Sequence, residues 1–286
     1  MSFDSVSRLD GKVAVITGGL GAIGYATATH LATLGATCVL LHRKGDDAAA
    51  RAAALPSASG QRHTAIRADI VDTPSLQAAA AEVKATHGRC DILVNSAGYT
   101  QPVPAGDLDA LTDELIDDLL RANFRGVFAT IRAFAPMLKE SGDGFIANIS
   151  SIAGFTGVGS NLAYVAAKVG LDVVGDALAK ALAPVVRVVS VSPGAVESGF
   201  VPGRGAEFAN KMASTTPLGR IGKPDDVAAT VEALATTMRF VTGTRIVVDG
   251  GATCEHKDAD HLRRHGQSRE ARADTAPADH AGADRR

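Results

Sequence analysis

Near its N-terminus the chain reads Lys12-Val-Ala-Val-Ile-Thr-Gly-Gly-Leu-Gly-Ala-Ile-Gly24, a β-branched apolar run followed at once by closely spaced glycines. A segment rich in Ala, Thr and Leu continues to Gly35 and is predicted to be helical. Glycines in such a loop let the backbone approach a phosphate closely, and the N–H groups and dipole of the following helix attract its negative charge. Because a strand, a glycine loop and a helix stand in this order, the stretch predicts a nucleotide site rather than a glycine-rich turn without a ligand.

Strand-like and helix-like segments alternate along the rest of the chain. The seven predicted strands are 13–16, 37–41, 63–68, 92–95, 145–150, 186–192 and 245–248. The predicted helices are 23–34, 46–55, 75–87, 111–139, 161–182 and 224–237. Alternation of this kind favours an α/β fold of parallel βαβ units with right-handed crossovers.

The composition fits one large α/β domain. At 286 residues the chain can bury a single core, and nothing in it requires a second one. A formal net charge of −2 offers no general attraction to nucleic acid or to an anionic membrane, so neither is expected as a partner. The N-terminus lacks the apolar segment of a signal peptide and no run is long enough to cross a bilayer, so we expect a cytoplasmic protein.

No metal site is expected from the cysteines or histidines. Cys38, Cys90 and Cys254 have no metal-binding spacing and are interpreted as small buried or incidental residues. Residues 255–286 contain almost no aliphatic side chains and are expected to be a disordered polar tail after a folded domain at 1–254. His261 and His265 in this tail are four residues apart, but its biased composition favours a solvated segment over metal ligands.

A second group of polar residues lies in the middle of the chain. Tyr164 and Lys168 are four residues apart on predicted helix 161–182 and therefore share one face. A phenol with a pKa of about 10 is a poor base at neutral pH, but a nearby ammonium group lowers that pKa. Ser151 follows predicted strand 145–150, and its hydroxyl could hold a reacting oxygen. Together these residues predict proton transfer to or from an oxygen on a substrate carbon, as in the interconversion of a carbonyl and an alcohol.

The order and spacing of these motifs resemble the short-chain dehydrogenase/reductase family in its single-domain form. The resemblance covers residues 9–251 and runs through 17–24, Asp69-Ile70, Asn95-Ser-Ala-Gly98, Asn123, Ser151, Tyr164-x-x-x-Lys168, Pro193-Gly194 and Val248-Asp-Gly-Gly251. Each motif is modest alone, but their joint order is specific. The resemblance implies a Rossmann-like, doubly wound, seven-stranded parallel sheet with helices on both faces, NAD(P) at its carboxyl edge, and an enzyme that interconverts a carbonyl and a secondary alcohol.

The same resemblance assigns roles to individual residues. The implied catalytic set is Asn123, Ser151, Tyr164 and Lys168, in which Asn123 kinks its helix and holds a water linked to Lys168. The implied cofactor contacts are Gly18, Leu20, Gly21, Ile23, Arg43, Asp69, Ile70, Asn95, Ala97, Gly98, Tyr164, Lys168, Pro193, Gly194, Val196 and Ser198. The chain departs from the family pattern at Ala22, Ser96 and Ser198, where Gly, Asn and Thr are commoner.

The choice of nicotinamide cofactor is expected to depend on the end of predicted strand 37–41. Proteins that bind NAD place an acid there, about twenty residues past the glycines, whereas the 2′-phosphate of NADP needs positive charge. By resemblance, His42 stands where the acid would be and Arg43 where a basic residue is common. NADP(H) is therefore favoured, and NAD(H) is possible because a shifted loop could bring Asp46 or Asp47 to the ribose.

The sequence indicates the substrate class and the oligomeric state less directly. Overall similarity to 3-oxoacyl carrier-protein reductases favours a reductase of small ketones or 3-oxoacyl groups, with an NAD(P)-dependent secondary-alcohol or sugar dehydrogenase as the alternative. A non-catalytic nucleotide-sensing relative is disfavoured because the catalytic set is complete. Residues 199–217 are predicted as a lid.

The resemblance implies a homotetramer, or a homodimer, in which helices 111–139 and 161–182 pack against their copies.

Overall fold

One sheet of seven parallel strands forms the centre of the fold in a computed structural model, which describes residues 8–57 and 60–254. The strands are β1 (Val13–Thr17), β2 (Thr37–His42), β3 (Thr64–Arg67), β4 (Ile92–Asn95), β5 (Gly144–Ile149), β6 (Val186–Pro193) and β7 (Thr244–Val248). Their order in the sheet is β3-β2-β1-β4-β5-β6-β7. Because the chain builds outward from β1 to β3 and then returns to the centre at β4, the sheet is doubly wound, as predicted.

Helices cover the sheet. They are α1 (Ala22–Thr33), α2 (Ala48–Ala53), α3 (Thr73–His87), α4 (Asp113–Leu120), α5 (Gly126–Glu140), α6 (Ala153–Thr156), α7 (Leu162–Leu182), α8 (Ala206–Thr215) and α9 (Pro224–Ala235), with a π-helical turn (Arg121–Arg125) between α4 and α5. At the start of α9, Pro224 occupies the first turn and Asp226 accepts a hydrogen bond from the Lys223 N–H at 2.7 Å. This is the predicted signature of a helix N-terminus.

The sheet separates two hydrophobic cores. Side chains alternate along a strand, so Ala14 and Ile16 of β1 point to one face while Val13 and Val15 point to the other. The first face packs against α1, α2 and α9, and the second against α3, α5 and α7. Central strands buried on both sides explain the almost continuous apolar runs in the sequence. The predicted fold class, with helices on both faces, is confirmed.

Three segments differ from the sequence-based prediction. The predicted helix 111–139 is interrupted by the π-helical turn, where the Gly126 N–H bonds to the Arg121 carbonyl five residues back. Residues 199–217, for which no helix was predicted, contain α8, and its half-buried side chains Phe208, Ala209, Met212 and Ala213 share one face. The short helix α6 was not predicted either. The other predicted elements are present with ends shifted by at most two residues.

The cysteines have different environments. Cys38 and Cys90 are fully buried, and burial raises the pKa of both thiols, whereas Cys254 is exposed. Across residues 8–57 and 60–254, no group of three His, Cys, Asp or Glu side chains is placed to hold a metal ion. The same residues contain no helix long and apolar enough to span a membrane. The predicted tail at 255–286, with His261 and His265, lies outside the described residues.

Candidate active site

In the glycine loop after β1, neighbouring atoms approach the glycine Cα atoms too closely to leave room for side chains. Gly18 has a left-handed φ of +62°, and a Cβ there would lie 2.9 Å from the Ala97 Cα. A Cβ at Gly19 would lie 2.8 Å from a side-chain atom of β2, and one at Gly24 would lie 2.3 Å from the Gly18 carbonyl oxygen. These positions need glycine, whereas Ala22 begins α1 and carries its methyl group in an exposed position.

The first turn of α1 keeps N–H groups available to a ligand. Gly21 is its N-cap, no side chain caps the turn, and no acidic residue lies in it. Such a helix N-terminus favours an anion such as a pyrophosphate. Leu20 and Ile23 support the loop, since the Arg51 guanidinium donates to the Leu20 carbonyl at 2.8 Å and Ile23 packs against the core. The loop and the helix start therefore fit a dinucleotide.

Thr17 joins this loop to the segment after β4. Its Oγ1 accepts hydrogen bonds from the N–H groups of Ser96 and Ala97, both at 3.1 Å. Asn95, the last residue of β4, donates to the Asn148 side-chain oxygen on β5 at 2.9 Å. The predicted contacts Asn95 and Ala97 thus lie beside the glycine loop at the carboxyl edge of the central strands. Thr17 belongs to the motif 17–24 but was given no role from the sequence, although its place at the end of β1 is a usable signal.

Asn123 is fully buried in the π-helical turn. Its Nδ2 donates to the carbonyls of Tyr99 at 2.9 Å and Leu119 at 3.0 Å. Its Oδ1 has no partner among the described residues, and a Cβ at Gly98 would lie 2.5 Å from that oxygen. The predicted kink is therefore a π-helical turn. A buried amide oxygen without a partner beside Gly98 is available to a further donor, as the predicted water-holding role requires.

Ser151, Tyr164 and Lys168 come together beyond the end of β5. The Ser151 hydroxyl lies close enough to the Tyr164 hydroxyl to lower its pKa, and it accepts from the Ala153 N–H at 3.2 Å. Lys168 lies one turn after Tyr164 on α7, with its Nζ 5.5 Å from the centre of the tyrosine ring. The same Nζ donates to the Ile149 carbonyl at 2.8 Å. The structure thus brings three of the four predicted catalytic residues into one group.

Asn161 determines where the helix of this group begins. Its Oδ1 accepts a hydrogen bond from the Tyr164 N–H at 2.7 Å, as an N-cap does. Its Nδ2 donates to the Gln101 carbonyl at 2.8 Å, which links the helix start to the segment after β4. Asn161 was not among the predicted site residues, although an Asn at the start of a predicted helix is a recognised capping signal.

Burial dominates the protonation states of Tyr164 and Lys168. Burial raises the pKa of Tyr164 to about 12, although the nearby Ser151 hydroxyl and the Arg204 charge lower it. Burial lowers the pKa of Lys168 to about 8, and the negative charge of Asp172 raises it. The predicted lowering of the tyrosine pKa below its usual value is wrong for this structure, because desolvation of the phenolate outweighs the effects of Ser151 and Arg204. At neutral pH the tyrosine is a neutral phenol and the lysine is mostly an ammonium group.

A basic pocket lies at the carboxyl ends of β2 and β3. Arg43 and Lys44 follow β2, and Arg67, the last residue of β3, is the register partner of His42. Together with Asp46 they line a cavity of about 370 Å³. Within the described ranges, none of the three cations forms an ion pair. Arg67 was missed in the sequence, because only the pairing of β2 with β3 places it next to His42.

The remaining predicted cofactor contacts border the same edge of the sheet. They lie at or beyond the carboxyl ends of β3 and β6: Asp69, Ile70, Pro193, Gly194, Val196 and Ser198. The Asp69 side chain accepts from the Val71 N–H at 3.1 Å and stabilises its own turn. The Ser198 hydroxyl donates to the Val196 carbonyl at 3.3 Å. Every predicted contact is therefore at the switch-point edge, where open α/β sheets bind ligands.

The predicted lid segment contributes aromatic rings and a charge near Tyr164. The Phe200 ring centre lies 5.9 Å from that of Tyr164. The Arg204 N–H donates to the Val201 carbonyl at 3.4 Å, which folds the chain back toward Phe200. The Arg204 guanidinium lies 4.3 Å from the centre of the Phe208 ring, and its charge acts on Tyr164. The segment therefore adds an apolar wall with one cation to this group.

Known reductases and dehydrogenases are similar to this chain in sequence and in fold. The family described as enoyl-(acyl carrier protein) reductase matches residues 19–253. The D-threitol dehydrogenase of Mycolicibacterium smegmatis is 37% identical over 257 residues, which cover 88% of this chain and 97% of that enzyme. The 3-oxoacyl-[acyl-carrier-protein] reductase of Aquifex aeolicus is 34% identical over 249 residues, covering 85% and 98%. The structure of a gluconate 5-dehydrogenase from Burkholderia cenocepacia in complex with NADP and tartrate matches with a TM-score of 0.81 and 30% identity over 89% of this chain and 100% of that one.

Proposed function

The chain belongs to the short-chain dehydrogenase/reductase family of oxidoreductases, and we propose that it acts as an NADP(H)-dependent reductase of ketones or 3-oxoacyl thioesters. The observation that carries this proposal is the group of Ser151, Tyr164 and Lys168 at the carboxyl edge of the sheet. A phenol that lies near a serine hydroxyl and beside a buried ammonium group can transfer a proton to an oxygen.

The protonation state of Tyr164 favours reduction. Since its pKa is about 12, the phenol holds its proton at neutral pH and can give it to an oxygen that gains negative charge. Ser151 can hold the same oxygen because its hydroxyl lies near the Tyr164 hydroxyl. The Lys168 ammonium then stabilises the phenolate that remains.

A bound nicotinamide coenzyme would supply the hydride to the carbonyl carbon. The residues that would hold its pyrophosphate are the glycine loop and the uncapped first turn of α1. Arg43 and Arg67 line the pocket where a ribose 2′-phosphate would bind, and their unpaired charges support NADP(H) over NAD(H). Asp46 lines the same pocket and is the residue that would favour NAD(H).

A second candidate function is the oxidation of a secondary alcohol or a sugar alcohol. It is supported by the similarity to a D-threitol dehydrogenase and to a gluconate 5-dehydrogenase. In that direction Tyr164 must accept a proton, so its raised pKa would make the reaction depend on alkaline pH.

Both candidates are tested by one screen. Ketones, 3-oxoacyl thioesters, secondary alcohols and sugar alcohols are incubated with reduced or oxidised NADP and NAD, and coenzyme absorbance is followed. We expect NADPH to be consumed with a ketone or a thioester at neutral pH. Turnover of alcohols alone would favour the second candidate, and no turnover in any combination would overturn both.

Arg204 is expected to favour substrates that carry a carboxylate near the ketone. It has no ion pair within residues 8–57 and 60–254, and partial burial lowers the pKa of its guanidinium, so an anion would relieve its desolvation. Arg204→Gln should lower kcat/KM for a keto acid about tenfold and leave its methyl ester nearly unchanged. Lys211→Gln, which removes an exposed charge from α8, is the matched control. Equal losses for acid and ester would contradict the assignment.

The proposed oligomer is a homotetramer, or a homodimer, built on α5 and α7. Leu162, Val169 and Val173 lie on one stripe of α7 and are 41%, 41% and 64% exposed, and Phe128 of α5 is 41% exposed. Burying these side chains against a second copy would remove apolar surface from water. Light scattering is expected to give a multiple of the 29.2 kDa chain mass, which Val173→Glu should reduce. A monomeric wild-type protein would contradict the proposal.

A further inference from the structure

Asp172 lies one helical turn after Lys168 on α7 and is only 5% exposed. Charged residues are rarely buried unless they are paired. Within residues 8–57 and 60–254 the buried carboxylates are Asp91 and Asp172. Asp91 precedes β4 at the amino-terminal edge of the sheet, where Lys12 and Arg89 neutralise it. Of these two buried acids, Asp172 is therefore the one that lies near Lys168. The proposed proton transfer gives it no role.

The Asp172 carboxylate connects three parts of the fold. The Arg245 guanidinium of β7 lies 3.2 Å from Oδ2 and 4.7 Å from the centre of the Phe155 ring, so it is held on both sides. A Cβ at Gly154, in the turn after Ser151, would lie 2.8 Å from the same oxygen. Oδ1 has no hydrogen-bond partner among the described residues. The position of this carboxylate is thus determined by α7, by β7 and by the turn that carries the catalytic serine.

Arg245 reaches Asp172 from the sheet, at the end of a polar row beneath α7. Strand register pairs Thr17 with Asn95, Asn95 with Asn148, Asn148 with Ser190, and Ser190 with Arg245. The first four side chains are at most 2% exposed. Since register partners lie on the same face of a sheet, Arg245 points toward the helix that carries Lys168. The ion pair, which is buried at Asp172 and one-third exposed at Arg245, therefore lies beneath the helix that carries the lysine.

Other charged groups on the elements that pack against α7 are exposed or remote. The acids of α4 and the next acid along α7 are exposed: Asp113, Glu114, Asp117, Asp118 and Asp176. The π-helical turn carries the exposed cations Arg121 and Arg125, and Arg187 lies at the opposite end of β6. Tyr164 is uncharged at neutral pH because its pKa is about 12. Asp172 is the charge that opposes the effect of burial on Lys168.

We propose that Asp172 is a positioning residue that keeps the Lys168 ammonium charged beside Tyr164, while Arg245 holds the carboxylate in place. This inference rests on the proposed function, because it concerns the lysine of the same proton-transfer group. Opposite charges one helical turn apart attract each other more strongly in buried surroundings than in water. Without the carboxylate, burial alone acts on Lys168, and the ammonium loses its proton at lower pH.

The pH dependence of kcat/KM tests the inference. Lys168 supports the reaction when protonated, so activity falls as the pH rises through its pKa, and the wild-type alkaline limb is expected near pH 8. Asp172→Asn removes the charge that raises this pKa, so the limb should move to lower pH by about one unit. Activity on the plateau below the limb should change little. A defect that is merely structural would lower the whole profile without moving its limb.

Two further variants control for charge and for folding. Asp176→Asn removes the same charge from an exposed position one turn further along α7, and its limb should coincide with that of the wild type. If Asp172→Asn does not fold, Asp172→Asn/Arg245→Gln removes both members of the ion pair and should also move the limb to lower pH. A limb that stays in place in the folded variant, or an equal shift in Asp176→Asn, overturns the inference.

A measurement without turnover separates this inference from the proposed function. NMR titration of lysine Cε groups, with the Lys168 signal assigned through Lys168→Gln, reports its pKa in the wild type and in Asp172→Asn. We expect a lower pKa in the variant. If no ketone is reduced but this shift is present, the proposed function fails and the electrostatic role of Asp172 stands. An unchanged Lys168 titration overturns that role even in an active enzyme.

Discussion

Replacing Tyr164 by phenylalanine is expected to lower kcat/KM for ketone reduction roughly 10²–10⁴-fold, the usual contribution of a positioned general acid. The change removes only the hydroxyl that carries the proton and leaves the ring against Phe200 and Lys168. NADPH binding, followed by fluorescence titration, should be nearly unchanged.

Tyr25→Phe is the matched control for this substitution. The Tyr25 hydroxyl donates to the Arg51 carbonyl at 3.1 Å, and it lies on α1 away from the Ser151 turn. Its removal should leave turnover near the wild-type rate. If Tyr164→Phe retained most of its activity, or if the two variants lost activity equally, Tyr164 would not be the proton donor.

Removing the charges at the ends of β2 and β3 is expected to have the second largest effect. A charged hydrogen bond to a 2′-phosphate contributes roughly 1.5–3 kcal/mol, so Arg43→Ala should raise the KM for NADPH about tenfold or more. Arg43→Ala/Arg67→Ala should raise it about a hundredfold if the two guanidiniums act independently. The KM for NADH should change little, because NADH presents only a hydroxyl at that position. Steady-state kinetics with both coenzymes measure the difference.

Arg62→Ala provides the control for this charge effect. Arg62 is exposed and lies before β3, at the opposite end of the strand from Arg67, so the total charge changes equally but the pocket does not. His42→Asp should shift the preference toward NADH, because a carboxylate repels the phosphate and accepts from the ribose hydroxyls. Equal effects of Arg43→Ala on both coenzymes, or a wild-type preference for NADH, would mean that Asp46 or Asp47 governs the pocket.

The alternation of strands and helices, the glycine loop and the Tyr164/Lys168 pair could be predicted because their signals are local, whereas the remaining contacts followed from the family resemblance. Short apolar runs that alternate with helical segments are dictated by burial on both faces of a parallel sheet, and the glycines mark contacts with no room for a side chain. Tyr164 and Lys168 lie one helical turn apart in any helix. Helix α8 was not predicted because its apolar stripe, which includes Phe208 and Met212, is short and none of its residues is fully buried.

Other features depend on residues that are distant in the sequence. The π-helical turn places the Asn123 side chain against the Tyr99 carbonyl and beside Gly98, contacts that no local pattern encodes. Arg67 joins the basic pocket because strand register sets it opposite His42, and neither Arg67 nor Arg43 signals this pairing alone.

The sequence by itself determined the order of strands and helices and their parallel βαβ arrangement, since backbone periodicity and side-chain size act over a few residues. The doubly wound strand order and the polar positions at the carboxyl edge followed from the resemblance of its motifs to the family. Only the tertiary structure decided the protonation states of the residues at that edge. A motif predicts that Lys168 lies near Tyr164, but desolvation depends on everything packed around them, and it raises the pKa of the tyrosine and lowers that of the lysine. Asp172 and Arg245, 73 positions apart, meet beside that lysine because β7 and α7 pack together, and no distance along the chain carries this information.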